Sequence, residues 1–365
     1  MSELQRWDGY SPATAPSRGR FMRQAIANCY FHSPLSALTR HVRERYQFVS
    51  SRGAWPSLRP RKRCATHARI LYYHRVNDDN DPFFPAISTR LFEAEMRYVS
   101  RNYRVVSMSE LLDRLAGQDN EPVLAITFDD GYRDNYERAF PVLKRYGLPA
   151  TIFLTTGSMD TGEPLWFERL ALAMKKTSRE FLELEIEPME RIWLRTPAER
   201  LDANAWVFSV LRSLPDAERR QVLADVLRSL AVVDDERRRK MLTWDDVRLM
   251  QAHRITFGGH TVNHPFLSRL DSDEFRWEVS ECKRRIEEEV QSPADYLAYP
   301  NGREEDFGRA NKALVRQAGY RAAVTTIWGV NTNATDRFEL RRGGPWEESA
   351  ALFACKLDWY EMVEG

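Results

Sequence analysis

Cysteine is scarce in this chain, and its four cysteines (Cys29, Cys64, Cys282 and Cys355) lie far apart. No C-x-x-C pair exists, which argues against a zinc ribbon and a disulfide framework and suits a reducing compartment. Long apolar runs are missing as well. No stretch approaches the roughly 18 residues that span a bilayer, and no uninterrupted apolar segment precedes a small-residue cleavage site. The expectation is a cytoplasmic protein. No internal repeat is apparent, so a solenoid is not expected. Histidine is sparse too: of seven, none lies beyond His264.

What is present is ordinary in bulk and uneven in detail. With 365 residues, 43% hydrophobic and 29% charged, the chain can form one large α/β domain with decorations, or two domains. The net charge of +1 hides an asymmetry: residues 1–66 carry twelve Lys/Arg against three Asp/Glu, a net +9 that leaves −8 elsewhere. Residues 1–68 are expected to be a partly disordered leader. Its charge would suit peripheral contact with the inner membrane face or an acidic partner. Nucleic acid is not an expected partner.

From Arg69 the pattern becomes regular. Ile70–His74, Tyr103–Val106, Val123–Phe128, Ala150–Thr155, Ile255–Gly258, Leu297–Tyr299 and Arg321–Thr325 read as strands. Helical patterns separate them at Ser88–Asn102, Ser109–Leu115, from Asp134 to Gly147, at Thr243–His253, Asp271–Val290 and Glu304–Ala318. Such alternation predicts a mostly parallel sheet, open or closed into a barrel. The segment of about residues 160–242 interrupts it. That segment is long, charged and helical in pattern, with Trp166, Trp193 and Trp206 but no convincing strand, and reads as a helical insertion overhanging the site.

Four strand ends carry the chemistry. They are Tyr72-Tyr73-His74, Thr127-Phe128-Asp129-Asp130-Gly131, His260-Thr261-Val262-Asn263-His264 and Ala298-Tyr299-Pro300-Asn301-Gly302. In a parallel barrel these ends share one face. Two imidazoles spaced H-x-x-x-H with one carboxylate form a ligand set that leaves positions open to water and substrate. Adjacent residues on extended backbone point to opposite faces, so Asp129 and Asp130 should divide into a ligand and a base.

Together Thr127–Tyr132 (TFDDGY), His260–His264 (HTVNH) and the Tyr299-Pro300-x-Gly302 loop resemble the polysaccharide deacetylase family, the NodB-homology carbohydrate esterases. The resemblance covers roughly residues 69–345 and implies a distorted parallel (β/α) barrel, with 346–365 as a C-terminal tail. It implies metal-dependent removal of N-acetyl, less often O-acetyl, groups from amino-sugar polymers. By motif position Asp129 would be the general base, while Asp130, His260 and His264 would bind a divalent metal, zinc first among them. Tyr132, Tyr299, Pro300 and Asn301 would contact the substrate.

Three departures stand out. A late acid histidine is missing; His74 fills that role if the chain resembles the circularly permuted branch that includes poly-N-acetylglucosamine deacetylases. The arginine that often orients the base is absent near Ala298 and Tyr299. An export signal is lacking, which points to a nucleotide- or lipid-linked sugar or an oligosaccharide assembled at the membrane's inner face. Two competing readings are a non-catalytic carbohydrate-binding barrel, against which the full Asp129–Asp130–His260–His264 set argues, and an aspartyl phosphatase, which would show D-x-D.

Overall fold

The computed structural model describes residues 67–117, 121–184, 190–232, 240–344 and 347–363. Residues 1–66 of the expected leader, with His32 and His41, lie outside the described residues, and Ala68, assigned to that leader, opens the first strand. The strands are β1 (Ala68–Tyr73), β2 (Arg104–Val105), β3 (Val123–Phe128), β4 (Ala150–Leu154), β5 (Phe181–Leu184), β6 (Glu190–Trp193), β7 (Ile255–Gly259), β8 (Tyr296–Ala298) and β9 (Ala322–Val324). Six run parallel in the order β1-β3-β4-β7-β8-β9, with β2 beside the start of β3. Both faces of β1, β3 and β4 are buried, which is why their sequences are nearly continuous apolar runs rather than alternating ones.

The sheet curls into a distorted (β/α) barrel, and an irregular segment closes the gap between its edges. Leu340 bridges Val324 of β9, and Gly343 bridges Leu71 of β1, both in parallel sense. Four backbone hydrogen bonds secure the closure: Thr325 N to Leu340 O, Leu340 N to Ala323 O, Tyr72 N to Gly343 O and Gly343 N to Ile70 O. The segment is too short and kinked to write a strand pattern.

Side-chain caps start the surrounding helices where expected. Ser88 Oγ accepts from Leu91 N at the head of Thr89–Asn102, and Asp271 accepts from Asp273 N and Glu274 N ahead of Ser272–Val290; each satisfies amide donors that the first turn leaves free. Gly147 ends Phe140–Tyr146 at φ 62°, a conformation that a β-carbon disfavours.

Three expectations need correction. The insertion holds helices Trp166–Lys176, Pro197–Ser213 and Asp216–Leu230, but also the antiparallel hairpin β5–β6, in register from Phe181↔Trp193 to Leu184↔Glu190. The expected helix Glu304–Ala318 is broken at Gly308, φ 67°, into Glu304–Phe307, a 3-10 turn and Lys312–Gln317. The C-terminal tail contains a helix, Ala350–Val363, that buries Phe353, Ala354 and Leu357 in the main core. Asp358 anchors it by accepting 2.6 Å hydrogen bonds from Tyr98 and Tyr103 hydroxyls. No helix among the described residues is long and apolar enough to cross a membrane.

Candidate active site

Strand register gathers the motifs on one rim. Tyr73 pairs with Phe128, so His74 and Asp129 leave adjacent strands at the same level. Leu154 pairs with Gly259, and Gly259 with Leu297, which brings His260 beside Thr155 and Ala298. His67 and His253 precede β1 and β7 and so belong to the opposite rim.

The two aspartates diverge as their alternation requires. Asp130 turns at φ 73° and Gly131 at φ 82°, and the buried Asp130 carboxylate faces both imidazoles. Its Oδ1 lies 3.3 Å from His260 Nε2 and 3.4 Å from His264 Nε2. One ligand atom from each of the three residues falls within 4.8 Å of the others. His260 Nδ1 donates to the Ala298 carbonyl at 2.8 Å, because a carbonyl can only accept. In the neutral ring Nε2 is then a lone pair aimed at a carboxylate oxygen, and Asp130 Oδ1 has no hydrogen-bond partner among the described residues. Lone pairs facing each other in a buried site call for a cation between them, and two nitrogens with one oxygen are a fitting donor set.

The electrostatics show a buried site that draws positive charge. Burial alone would raise the Asp130 carboxyl, but the His260 contact and the charges of His74 and His264 hold it well below the usual carboxylate range. Burial, helped by the His260 charge, pushes His264 down to about 3, which keeps the ring in its neutral ligand form. His260 goes up despite burial, since Asp130 and Asp129 draw positive charge towards it. The loop between the histidines is braced by Glu278, whose carboxylate accepts from Val262 N, Asn263 N and Asn263 Nδ2 at 2.8–2.9 Å.

Asp129 meets a residue that sequence reasoning missed. Arg342, fully buried in the closing segment, donates Nη1 to Oδ1 and Nη2 to Oδ2 of Asp129, both at 2.7 Å. Its Nε donates to the Thr325 carbonyl at 2.7 Å, and its guanidinium lies 4.7 Å from the Tyr72 ring centre. Burial would raise the Asp129 carboxyl, yet the arginine's charge and its hydrogen bonds bring it below the ordinary value. The arginine absent near Ala298 is thus supplied to Asp129 by the closing segment. The available signal was the run Phe338–Leu340 before Arg341-Arg342-Gly343-Gly344, a last short closure element for a barrel that still needed one.

The remaining candidates separate. His74 is half-buried at the rim; its carbonyl accepts from Asn135 Nδ2 at 2.7 Å, and its charge acts on both Asp129 and Asp130. Asn301, at φ 60°, has a buried Nδ2 without a hydrogen-bond partner among the described residues. Pro300 is buried in the same turn, where Gly302 N donates to its carbonyl. Tyr299 corrects the expectation of substrate contact: it is 1% exposed, donates its hydroxyl to Phe338 O and stacks on Phe307 at 4.4 Å, as a core residue would. Tyr132 is likewise buried, with the Arg75 guanidinium 4.0 Å over its ring. Of the insertion's tryptophans, Trp166 and Trp206 pack in its core, and Trp193 is 40% exposed on the hairpin.

A curled parallel barrel with a buried Asp-His-His cradle and an arginine-held aspartate on one rim defines a hydrolase-like site. The chain belongs to the polysaccharide deacetylase family, whose model matches residues 116–323. It is 34% identical over 137 residues to YxkH of Bacillus subtilis (strain 168), which is named as a polysaccharide deacetylase; the match covers 36% of this chain and 46% of that protein. A poly-beta-1,6-N-acetyl-D-glucosamine N-deacetylase of Staphylococcus aureus (strain MSSA476) is 31% identical over 128 residues, 31% of this chain and 43% of the relative. The chain therefore matches less than half the length of these curated relatives. Among solved structures, the Streptococcus pyogenes deacetylase PplD in complex with acetate shares the fold, with a TM-score of 0.54, 19% identity and coverage of 78% of this chain and 96% of that one. The polysaccharide deacetylase BC0361 from Bacillus cereus gives 0.52 at 17% identity, over 80% and 69%.

Proposed function

We propose that this protein is a metal-dependent deacetylase that hydrolyses N-acetyl groups, with O-acetyl esters as the neighbouring option, on an amino-sugar polysaccharide, oligosaccharide or its precursor. One observation carries the reading: an arginine-held carboxylate, Asp129, stands beside the buried Asp130–His260–His264 cradle, with His74 on the adjoining strand end. The name of the Staphylococcus aureus relative supports an N-acetylglucosamine polymer as the substrate class.

Asp130, His260 and His264 would hold a divalent cation, zinc being the first candidate. Bound there, such an ion would acidify the attacking water and polarise the acetyl carbonyl. Asp129, kept ionised and fixed in direction by Arg342, takes the water proton as the oxygen joins the carbonyl carbon. Asn301 Nδ2, buried and unpartnered among the described residues, would donate to a substrate oxygen. When the carbon–nitrogen bond breaks, His74 delivers a proton to the departing amine, leaving acetate and a free amino sugar.

The test measures metal content and acetate release together, using N-acetylglucosamine oligomers and a nucleotide-linked N-acetyl sugar. Acetate release that tracks roughly equimolar metal supports the reading and sorts the substrate. Bound metal without acetate from either substrate rejects the N-acetyl assignment, and no bound metal rejects the cradle.

A further inference from the structure

The two histidines of the cradle are oriented by different means. His260 follows the usual pattern, its second ring nitrogen donating to a backbone carbonyl. His264 Nδ1 is buried and has no hydrogen-bond partner among the described residues. Its backbone sits at φ 54°, which a residue with a β-carbon adopts only when its surroundings hold it. Thr261 Oγ1 accepts from His264 N at 3.0 Å within the loop itself, and the rest of the grip comes from the insertion. Trp166 Nε1 donates to the His264 carbonyl at 2.9 Å, and the Phe167 ring meets the imidazole edge-on with 5.1 Å between centres.

The two aromatics are themselves fixed. Both belong to the first turn of Trp166–Lys176, where Glu168 accepts from Leu165 N and pairs with Arg75, the residue after His74. Trp166 also stacks on Phe208 at 5.4 Å and has the Arg219 guanidinium 4.6 Å over its ring. The insertion's own core therefore sets where the indole N–H points.

We propose that Trp166 and Phe167 are positioning residues for His264, replacing the outer hydrogen bond that its ring lacks. The insertion is then a structural part of the cradle rather than a loose lid. This rests on the metal-dependent reading given above. Trp166→Phe removes the N–H while keeping an aromatic ring, and Phe167→Leu removes the ring edge while keeping apolar volume.

Zinc affinity is measured by competition with a chromophoric chelator, and the cobalt(II) absorption band is recorded as a second readout. The expected result is affinity about 10–100-fold weaker in each variant, the range for losing an outer partner of a metal ligand. The cobalt band should change while the melting temperature stays near that of wild type. Affinity within about twofold of wild type in both variants, with an unchanged band, overturns the proposal, since that lies well below the loss of an outer partner. Should Trp166→Phe unfold the insertion, Phe167→Leu decides alone, because Phe167 is only partly buried. Acetate release by wild type is assayed separately. A protein that binds zinc but releases no acetate rejects the deacetylase reading and leaves the affinity comparison standing; a protein that binds no zinc rejects both.

Discussion

Arg342 and Asp129 stand 213 positions apart in the chain and meet through two parallel 2.7 Å hydrogen bonds inside the barrel. The fork fixes both carboxylate oxygens at once, which a lysine cannot do. Arg342→Lys should lower kcat roughly 10–100-fold with a smaller change in KM, as expected when a general base loses its alignment. Arg342→Met strands a buried carboxylate and should cost about 3–5 kcal/mol at neutral pH. The Asp129 carboxyl is lowered in the fold, so its stabilisation is present above the unfolded value of about 4 and disappears as pH falls through the folded one. Urea melts of wild type and Arg342→Met should therefore converge towards pH 2, by about that same margin; a gap unchanged by pH would contradict the pairing.

Asp129→Asn and His74→Ala separate base, acid and cradle. Each should reduce turnover by roughly 10²–10⁴-fold while leaving bound metal unchanged, the usual worth of one proton-transfer group. Metal analysis of purified Asp129→Asn is the decisive reading, because loss of metal there would exchange the roles of Asp129 and Asp130. Unchanged turnover in His74→Ala would remove it as the acid.

Glu278 braces the histidine loop without touching either ring, accepting three N–H groups from Val262 and Asn263. Glu278→Ala leaves those donors unpaired, at a cost of about 1–3 kcal/mol each where they remain buried. Metal affinity measured by chelator competition should fall by at least about tenfold, as for other outer-sphere losses. Wild-type affinity in a folded variant would show that the loop holds its shape unaided.

Asp134 gives a pH test away from the cradle. Burial lifts its carboxyl to about 6, although Arg75 and the Asn77 amide pull the other way. A raised carboxyl is the unfavourable sign: ionising it costs stability as pH rises from the unfolded value of about 4 to the folded one, and the full cost persists above that. Asp134→Asn should be more stable than wild type by about 1–3 kcal/mol at pH 8 and no more stable below about pH 4. Equal denaturation midpoints at both pH values would show that the carboxyl is not so perturbed.

The rim was legible because fully buried parallel strands write unbroken apolar runs. Val123–Phe128 ends as its sequence says, and Ile255–Gly259 runs one residue past the expected Gly258, which puts Asp129, Asp130 and His260 at strand ends. The hairpin of the insertion was hidden because Phe181–Leu184 buries Leu182 between exposed Phe181 and Glu183, over too few residues to separate two-residue from helical periodicity. Tyr132 and Tyr299 sit in the right motifs, but motif position says nothing about which way a ring turns, and both turn inwards. Arg342 was missed for a different reason. Its partner is chosen by closure of the barrel, a contact between opposite ends of the sheet that no local pattern records.

The closing segment is one of the thin seams of the barrel. Leu340–Gly343 is joined to β9 and β1 by four backbone hydrogen bonds, whereas β1 and β3 pair along six residues. Opening of this seam would draw Arg342 away from Asp129. The cradle, carried on β3 and β7 in the middle of the sheet, would still be whole. A molecule opened at this seam would keep its ligands and lose the alignment of its base: silent in turnover, and intact to a metal probe.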